Sequence, residues 1–367
     1  MDDKVSLKTD DREITIAPFR SASQFTRYKI LFFGQCIALV AAVANTANFY
    51  LIDYFNVDIP MVELFFVYII LTFLFNDKIR KDSIKDETLQ AHERKQFNLP
   101  FSKIKISFPW WNYACLSFLD VLANYLTLLS FRYTSLTSAS LLGSLTIPAV
   151  MLVSWILLSR VFKLPHFVGV ILCLVGGLMT VWIDVDSSNV NGPKQSYTGD
   201  MIAIFAALLY GVVDSLTEFF MKYIDRTEYL FMIGLFGAFL TALKVAFFEN
   251  ELVHVLVMKT SLMAQLAILG LIIIYIISIV SFYVLVTLFL VYADATLLVL
   301  SLQATQFWVI VFSAVSEHNL PNPWFFVAVL MVIVGVFCYE LLGGRVYQIQ
   351  SHAISEEETT LLSSNDK

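Results

Sequence analysis

Charge is in short supply in this chain. Only 15% of its 367 residues are charged, against roughly 25% in an ordinary soluble domain, while 58% are hydrophobic. The mean hydropathy is +0.74, so lipid is the main solvent this sequence is written for. Cysteine is equally sparse. Cys36, Cys115, Cys173 and Cys338 each fall inside an apolar run, which leaves neither a disulfide framework nor a zinc-ligand spacing. Asn-x-Ser/Thr sequons are absent, and so are Gly-x-Ser-x-Gly, a Walker loop and His-Glu-x-x-His. The five histidines (His92, His166, His254, His318, His352) are scattered. These absences argue against an enzyme, a metal site, a cofactor and ATP-driven pumping by this chain alone. No basic patch with interleaved aromatics stands outside the apolar runs, so nucleic acid is not an expected partner. Residues 1–28 lack an apolar h-region, so the first apolar segment is expected to act as the insertion signal.

What the chain does have is long apolar runs. A membrane span needs about 20 such residues to cross roughly 30 Å of hydrocarbon. Ten segments qualify: 29–51, 59–75, 110–132, 136–159, 165–183, 198–221, 229–248, 265–290, 295–316 and 323–343. The fourth is separated from the third only by Arg132-Tyr133-Thr134-Ser135. Basic residues fall on alternate sides of the segments: 6 in 1–29, 8 in 76–108, 2 in 160–164, 2 in 222–226 and 2 in the C-terminal tail, 20 of the 24. The positive-inside rule therefore predicts both termini in the cytosol and an even number of spans. The net charge of -6 reflects acids on the opposite loops. The resulting plan is a cytosolic disordered tail at 1–28, a first five-helix unit at 29–183 carrying a solvated, in part helical, cytosolic loop at 76–108, a second five-helix unit at 198–343, and a cytosolic tail at 344–367.

The two units share a faint repeat. Tyr133, Thr137, Phe167, Val168, Val170 and Gly176 recur 159 positions later as Tyr292, Thr296, Phe326, Val327, Val329 and Gly335. With five spans per unit, the second copy enters the membrane from the opposite side. The expected fold is thus an all-α polytopic membrane protein of ten helices in two inverted five-helix repeats, the plan on which secondary transporters place a midplane site between halves.

Ionisable residues at lipid depth usually face a cavity or a partner. Asp120 and Asn124 are four apart, as are Asp214 and Glu218, and Glu218 and Lys222, so each pair shares one helix face. Asp214 has no basic neighbour within its own helix and is the leading candidate for a proton-sensitive group, with Asp120 second. Glu218 and Lys222 read equally well as a self-neutralising pair. Lys244 lies near a span end, from where it can snorkel to the interface. Tyr125 adjoins Asn124, and Gln303 and Gln306 lie three apart in the ninth span, so these also enter the expected cavity lining. Thr137, Ser138 and Ser140 are more naturally helix-helix contacts. Pro148 interrupts the fourth span, where a missing backbone donor predicts a kink and a gating point.

Several ordered motifs resemble one family. Trp110-Trp111, then Leu119-Asp120-Val121-Leu122-Ala123-Asn124-Tyr125, Tyr133-Thr134-Ser135-Leu136-Thr137-Ser138, Ile147-Pro148, Gly199-Asp200, Glu218-Phe219-Phe220-Met221-Lys222 and Gly234-Leu235-Phe236-Gly237 are together similar to the F subgroup of solute carrier family 35. These are relatives of nucleotide-sugar transporters in the drug/metabolite transporter superfamily. The resemblance implies ten helices in two inverted halves around a cavity that opens to each side in turn. It also implies basic residues on phosphates where the substrate is a nucleotide sugar. Here the expected cavity is acidic instead, which suits a neutral or cationic solute. Several subgroup relatives carry an acid near the position of Thr305, where this chain has Thr305-Gln306.

The expected function is accordingly secondary-active transport of a small polar organic metabolite, nucleoside-like or amine-bearing rather than a nucleotide sugar, with proton coupling as the candidate driving force. A transport-inactive membrane adaptor or receptor and a broad-specificity drug or metabolite exporter are the alternatives. Glu357-Glu358-Thr359-Thr360-Leu361-Leu362 resembles an acidic dileucine signal read by clathrin adaptors, with Glu357, Leu361 and Leu362 its key positions. It points to an endosomal, lysosomal or vacuolar membrane, with Golgi, ER or plasma membrane the alternative. Lipid and solute are the expected partners, and homodimerisation is left open.

Overall fold

The structure is a computed structural model in which residues 6–9, 12–15, 24–55, 57, 59–88, 97–98, 105–133, 142–158, 160–187, 197–248, 262–305, 307–308, 311–312, 323–342 and 347–348 are described. Among them the chain forms ten helices of eight or more residues. They are α1 (Gln24–Phe55), α2 (Pro60–Thr88), α3 (Trp110–Tyr133), α4 (Thr146–Leu158) and α5 (Leu164–Ser187). The remainder are α6 (Tyr197–Tyr223), α7 (Arg226–Phe248), α8 (Leu262–Tyr292), α9 (Ala295–Leu302) and α10 (Pro323–Phe337), the last running into a single π turn, Cys338–Leu342. Three short antiparallel ribbons accompany them. β1 (Ser6–Thr9) pairs β2 (Arg12–Thr15), β3 (Phe97–Asn98) pairs β4 (Lys105–Ile106), and β5 (Arg160–Val161) pairs β6 (Tyr347–Gln348).

Proline placement explains where the helices begin. Pro60 and Pro323 open α2 and α10, Pro165 is the second residue of α5, and Pro109 directly precedes α3. A first-turn proline gives up only a backbone donor that has no intrahelical partner. Pro148 follows the same rule, as the third residue of α4, so it sits at a helix start and not in the middle of a span. The interruption lies just before it. Ser144 and Leu145 form a turn, with Ile147 N–H donating to Ser144 O at 3.1 Å.

Four segments, Tyr28–Asn48, Tyr197–Tyr223, Arg226–Ala246 and Leu262–Tyr292, are long and apolar enough to cross a membrane. The 31 residues of α8 alone reach about 46 Å. The chain is a multi-pass helical membrane protein. Large apolar side chains face outward, among them Phe32, Phe73, Trp155 and Met201, as lipid-facing surfaces require. Two segments take up structure at the edges of the expected spans. α2 continues past its apolar stretch to Thr88, so the charged segment begins as helix, and part of the N-terminal tail forms the β1–β2 ribbon.

Packing runs in pairs: α2 along α7, α5 along α10, α1 along α8, α3 along α6, with α4 against α6 and α9 against α1. Close approach depends on glycine. A methyl group added at Gly211 of α6 would lie 2.6 Å from the Ala149 Cβ of α4, and one added at Gly34 of α1 would lie 2.6 Å from the Ser301 hydroxyl of α9.

Candidate functional site

Two polar clusters join helices that are distant in sequence. The first centres on Asp120 of α3, which is buried. Its Oδ2 accepts hydrogen bonds from the Tyr68 hydroxyl of α2 at 2.6 Å and the Tyr283 hydroxyl of α8 at 2.8 Å. The two hydroxyls lie 3.1 Å apart. One turn along α3, Asn124 donates to the Asp120 carbonyl at 2.8 Å and accepts from the Tyr210 hydroxyl of α6 at 2.9 Å. Asp214 lies one turn beyond Tyr210 on α6, half-buried, and interacts electrostatically with Asp120. Among the described residues Asp214 makes no hydrogen bond and neither carboxylate is ion-paired. The cluster is therefore acidic, walled by tyrosines and short of compensating positive charge. Such a pair of carboxylates can take up a proton or face an organic cation.

Lys244 of α7 approaches from the side. Its ammonium sits 3.0 Å from the centre of the Tyr125 ring, a cation–π contact. Tyr125 thereby holds a base between α3 and α7.

The second cluster lies at the ends of helices. The Glu218 side chain is fully buried and pairs with Arg160 and, at 3.1 Å, with Lys222. Arg160 also reaches Asp294 at 3.3 Å. Asp294 occupies the N-cap of α9 but makes no capping hydrogen bond; it accepts from the Tyr339 hydroxyl at 2.8 Å. Glu218 caps α9 in its place, accepting from Ala295 N–H at 3.0 Å. A carboxylate there complements the positive end of the helix dipole. Tyr339 is buttressed edge-on by the buried His166 ring, centroids 4.8 Å apart. Two bases and two acids thus neutralise each other where the α4–α5 connection, the end of α6, the start of α9 and the π turn after α10 meet.

A third acid, Glu228 in the first turn of α7, accepts from Ser107 N–H and Ser107 Oγ, both at 2.7 Å, and from the Tyr113 hydroxyl. It fastens the segment before α3 onto α7.

Of the residues expected from the sequence, Asp120, Asn124 and Asp214 come together, while Glu218 and Lys222 join the second cluster. Gln303 lies in the turn that ends α9, with its N–H 3.2 Å from Leu300 O. Gln306, Thr137, Ser138, Ser140 and the tail positions Glu357, Leu361 and Leu362 lie outside the described residues. Tyr68, Tyr210, Tyr283, Arg160, Tyr339 and Glu228 carry roles that the sequence reading did not assign. Arg160 and Asp294 were legible only as charges at span ends.

The sequence pattern of solute carrier family 35, subgroup F, matches residues 24–341. The chain belongs to this family. Among curated relatives, the mouse solute carrier family 35 member F2 is 30% identical over 224 residues, which cover 61% of this chain and 56% of the relative. The Xenopus tropicalis member F2 is 27% identical over 223 residues, 59% of this chain and 54% of that one. An uncharacterised family 35 member of Schizosaccharomyces pombe is 26% identical over 319 residues, 86% of this chain and 58% of the relative. The matched regions thus span somewhat more than half the length of these relatives. A solved crystal structure superposes with a TM-score of 0.59 and 16% identity, covering 88% of this family member and 98% of its own chain, a likeness of fold alone.

Proposed function

We propose that this family member is a secondary-active transporter working by alternating access, with the acidic cluster as its solute and proton site. The favoured solute is a small polar organic molecule, nucleoside-like or amine-bearing. The observation that carries this reading is the composition of the cluster: Asp120, Asn124 and Tyr68 come from the N-terminal five helices, and Asp214, Tyr210 and Tyr283 from the C-terminal five. A site shared between halves is opened and closed by their relative movement.

The proposal includes the inverted repeat, 29–183 against 198–343, and three observations support it. Helix packing is unchanged in kind when the halves are exchanged: α1 on α8 becomes α6 on α3, α1 on α9 becomes α6 on α4, and α2 on α7 and α5 on α10 map onto themselves. The 159-residue offset carries Gly169, Cys173 and Gly176 onto Ala328, Val332 and Gly335, and the close contacts are Gly169 with Gly335, Cys173 with Val332 and Gly176 with Ala328. That set is its own image. The same offset carries the turn at Ser144 onto the turn at Gln303. In orientation we place the face bearing Arg160, Lys222 and the C-terminal segment in the cytosol; β5–β6 brings that segment beside the α4–α5 connection, as an even number of intervening crossings requires. The tail pattern at Glu357, Leu361 and Leu362 favours an endosomal, lysosomal or vacuolar membrane.

The test is thermal stabilisation of the purified protein against nucleosides, nucleotides, nucleotide sugars, amines and vitamins at two pH values, followed by flux of any hit into proteoliposomes. A selective, pH-dependent hit whose flux is lost in Asp214→Asn is expected. Full flux in Asp214→Asn sinks the site assignment, and a nucleotide sugar as the best solute sinks the substrate class.

A further inference from the structure

Resting on the alternating-access reading, we propose that Arg160 is the cytosol-side lock of the transport cycle, closing the cavity by bridging the N-terminal half to Glu218 and Asp294 of the C-terminal half. Among the described residues, Arg160 is the one member of the ion-pair cluster that the first five-helix half supplies; Glu218, Lys222, Asp294 and Tyr339 all come from the second. Separating the halves at this end breaks both of its ion pairs together. Its guanidinium fork suits this bridging, since it can address two carboxylates from one rigid plane.

The bridge is closed to solvent. Glu218 lies one turn, about 6 Å, from Asp214 along α6 toward the helix end. The Arg160 and Glu218 side chains there are 7% and 0% exposed, and Lys222 and Asp294 beside them 13% and 14%. A bridge this dry at the end of the helices is what a shut gate requires.

The cluster also contains what a reversible pair needs. An unpaired buried charge is costly, so a lock that opens should leave each member with another partner. Lys222 already stands 3.1 Å from Glu218 and Ala295 N–H 3.0 Å from it, while Tyr339 holds Asp294 at 2.8 Å. Both acids therefore retain a donor once Arg160 withdraws. Arg160 itself is carried on β5, a two-residue strand in the α4–α5 connection that pairs, among the described residues, with Tyr347 and Gln348.

The experiment needs no solute. Cys36, Cys115, Cys173 and Cys338 are replaced, Asp214→Cys is introduced as a reporter, and sealed vesicles of either orientation are treated with the impermeant thiol reagent MTSET. With the lock intact, modification from the cytosolic face should be at least tenfold slower than from the other face. Arg160→Ala should raise the cytosolic-face rate tenfold or more, and Arg160→Lys, which keeps the charge without the fork, should fall between. If Arg160→Ala is not recovered as a monodisperse protein, Asp294→Asn removes one of the two bridged partners and should raise the same rate at least threefold. An unchanged cytosolic-face rate in these variants overturns the lock, as does fast cytosolic modification with Arg160 in place. Failure to find a transported solute leaves the labelling result standing, so the two readings fail separately.

Discussion

The α4–α6 contact offers the sharpest quantitative test of the packing. In Gly211→Ala the new methyl carbon would lie 2.6 Å from the Ala149 Cβ and 3.0 Å from the Ala149 carbonyl carbon and the Val150 nitrogen. Carbon atoms at rest are about 3.5–4.0 Å apart, so the helices must separate by close to 1 Å. That movement strains a neighbouring set of hydrogen bonds already near their limit, Ser154 with Ser215 at 3.3 Å and Ser215 with Val150 O at 3.4 Å. Overpacking of this kind costs about 1–3 kcal/mol, and a lost polar contact between membrane helices about 0.6 kcal/mol. Alanine recovers about 0.8–1 kcal/mol of helix propensity, leaving a net loss of about 0.6–2.8 kcal/mol. Gly270 of α8 is the internal control, because nothing lies within 4 Å of its would-be methyl; Gly270→Ala should be neutral or stabilising by up to about 1 kcal/mol. Ala149→Gly removes the nearest atom but carries its own propensity cost, so the double variant is compared with Ala149→Gly alone. In that background the Gly211→Ala loss should fall by roughly half, since the backbone contacts at 3.0 Å persist. The assay is thermal unfolding of the detergent-purified variants followed by size-exclusion fluorescence. If Gly211→Ala melts with Gly270→Ala, or if its loss is undiminished in the Ala149→Gly background, the packing described for α4 and α6 is wrong.

Two further predictions concern the polar clusters. Tyr68→Phe and Tyr283→Phe each remove one donor from Asp120 Oδ2 and should cost about 1–2 kcal/mol singly; the pair should cost more than the sum, because it leaves a carboxylate that is 7% exposed with no donor on that oxygen. Additive melting shifts would show that the two hydroxyls act independently. Glu228→Ala orphans the Ser107 N–H, the Ser107 hydroxyl and the Tyr113 hydroxyl together and should destabilise by about 3 kcal/mol or more, against about 1–2 kcal/mol for Tyr113→Phe, measured by the same unfolding assay. Equal losses in those two variants would mean that Glu228 is held by Tyr113 alone.

What the sequence made legible was whatever depends on composition or on spacing within one helix. Apolar runs of sufficient length marked the helices. The four-residue spacing of Glu218 and Lys222 foretold a pair that is present at 3.1 Å, and Asp120 and Asn124 do share a face. Pro148 signals an interruption of the fourth segment but places it a few residues late, and that of the ninth is not legible at all, because an apolar stretch keeps its hydropathy whether or not the helix is continuous. Ser144 and Gln303 become turn residues through backbone geometry that no hydropathy window registers.

The partners of the buried charges were hidden for a different reason, and it bears on how such chains should be read. Tyr68 meets Asp120 across 52 residues, Tyr283 meets it across 163, and Arg160 meets Glu218 across 58, so no local pattern encodes any of these contacts. Arg160 was counted among the residues that set topology, a role any surface base could fill. Its burial at 7% side-chain exposure is incompatible with a base that only marks the cytosolic side, since such a base gains nothing by leaving water. On the proposed reading, a charge at a span end serves two functions at once: it orients the helices during insertion, and in the folded protein it closes the gap between halves. The second is recognised only when the desolvated base is found between two acids of the opposite half, as Arg160 is between Glu218 and Asp294.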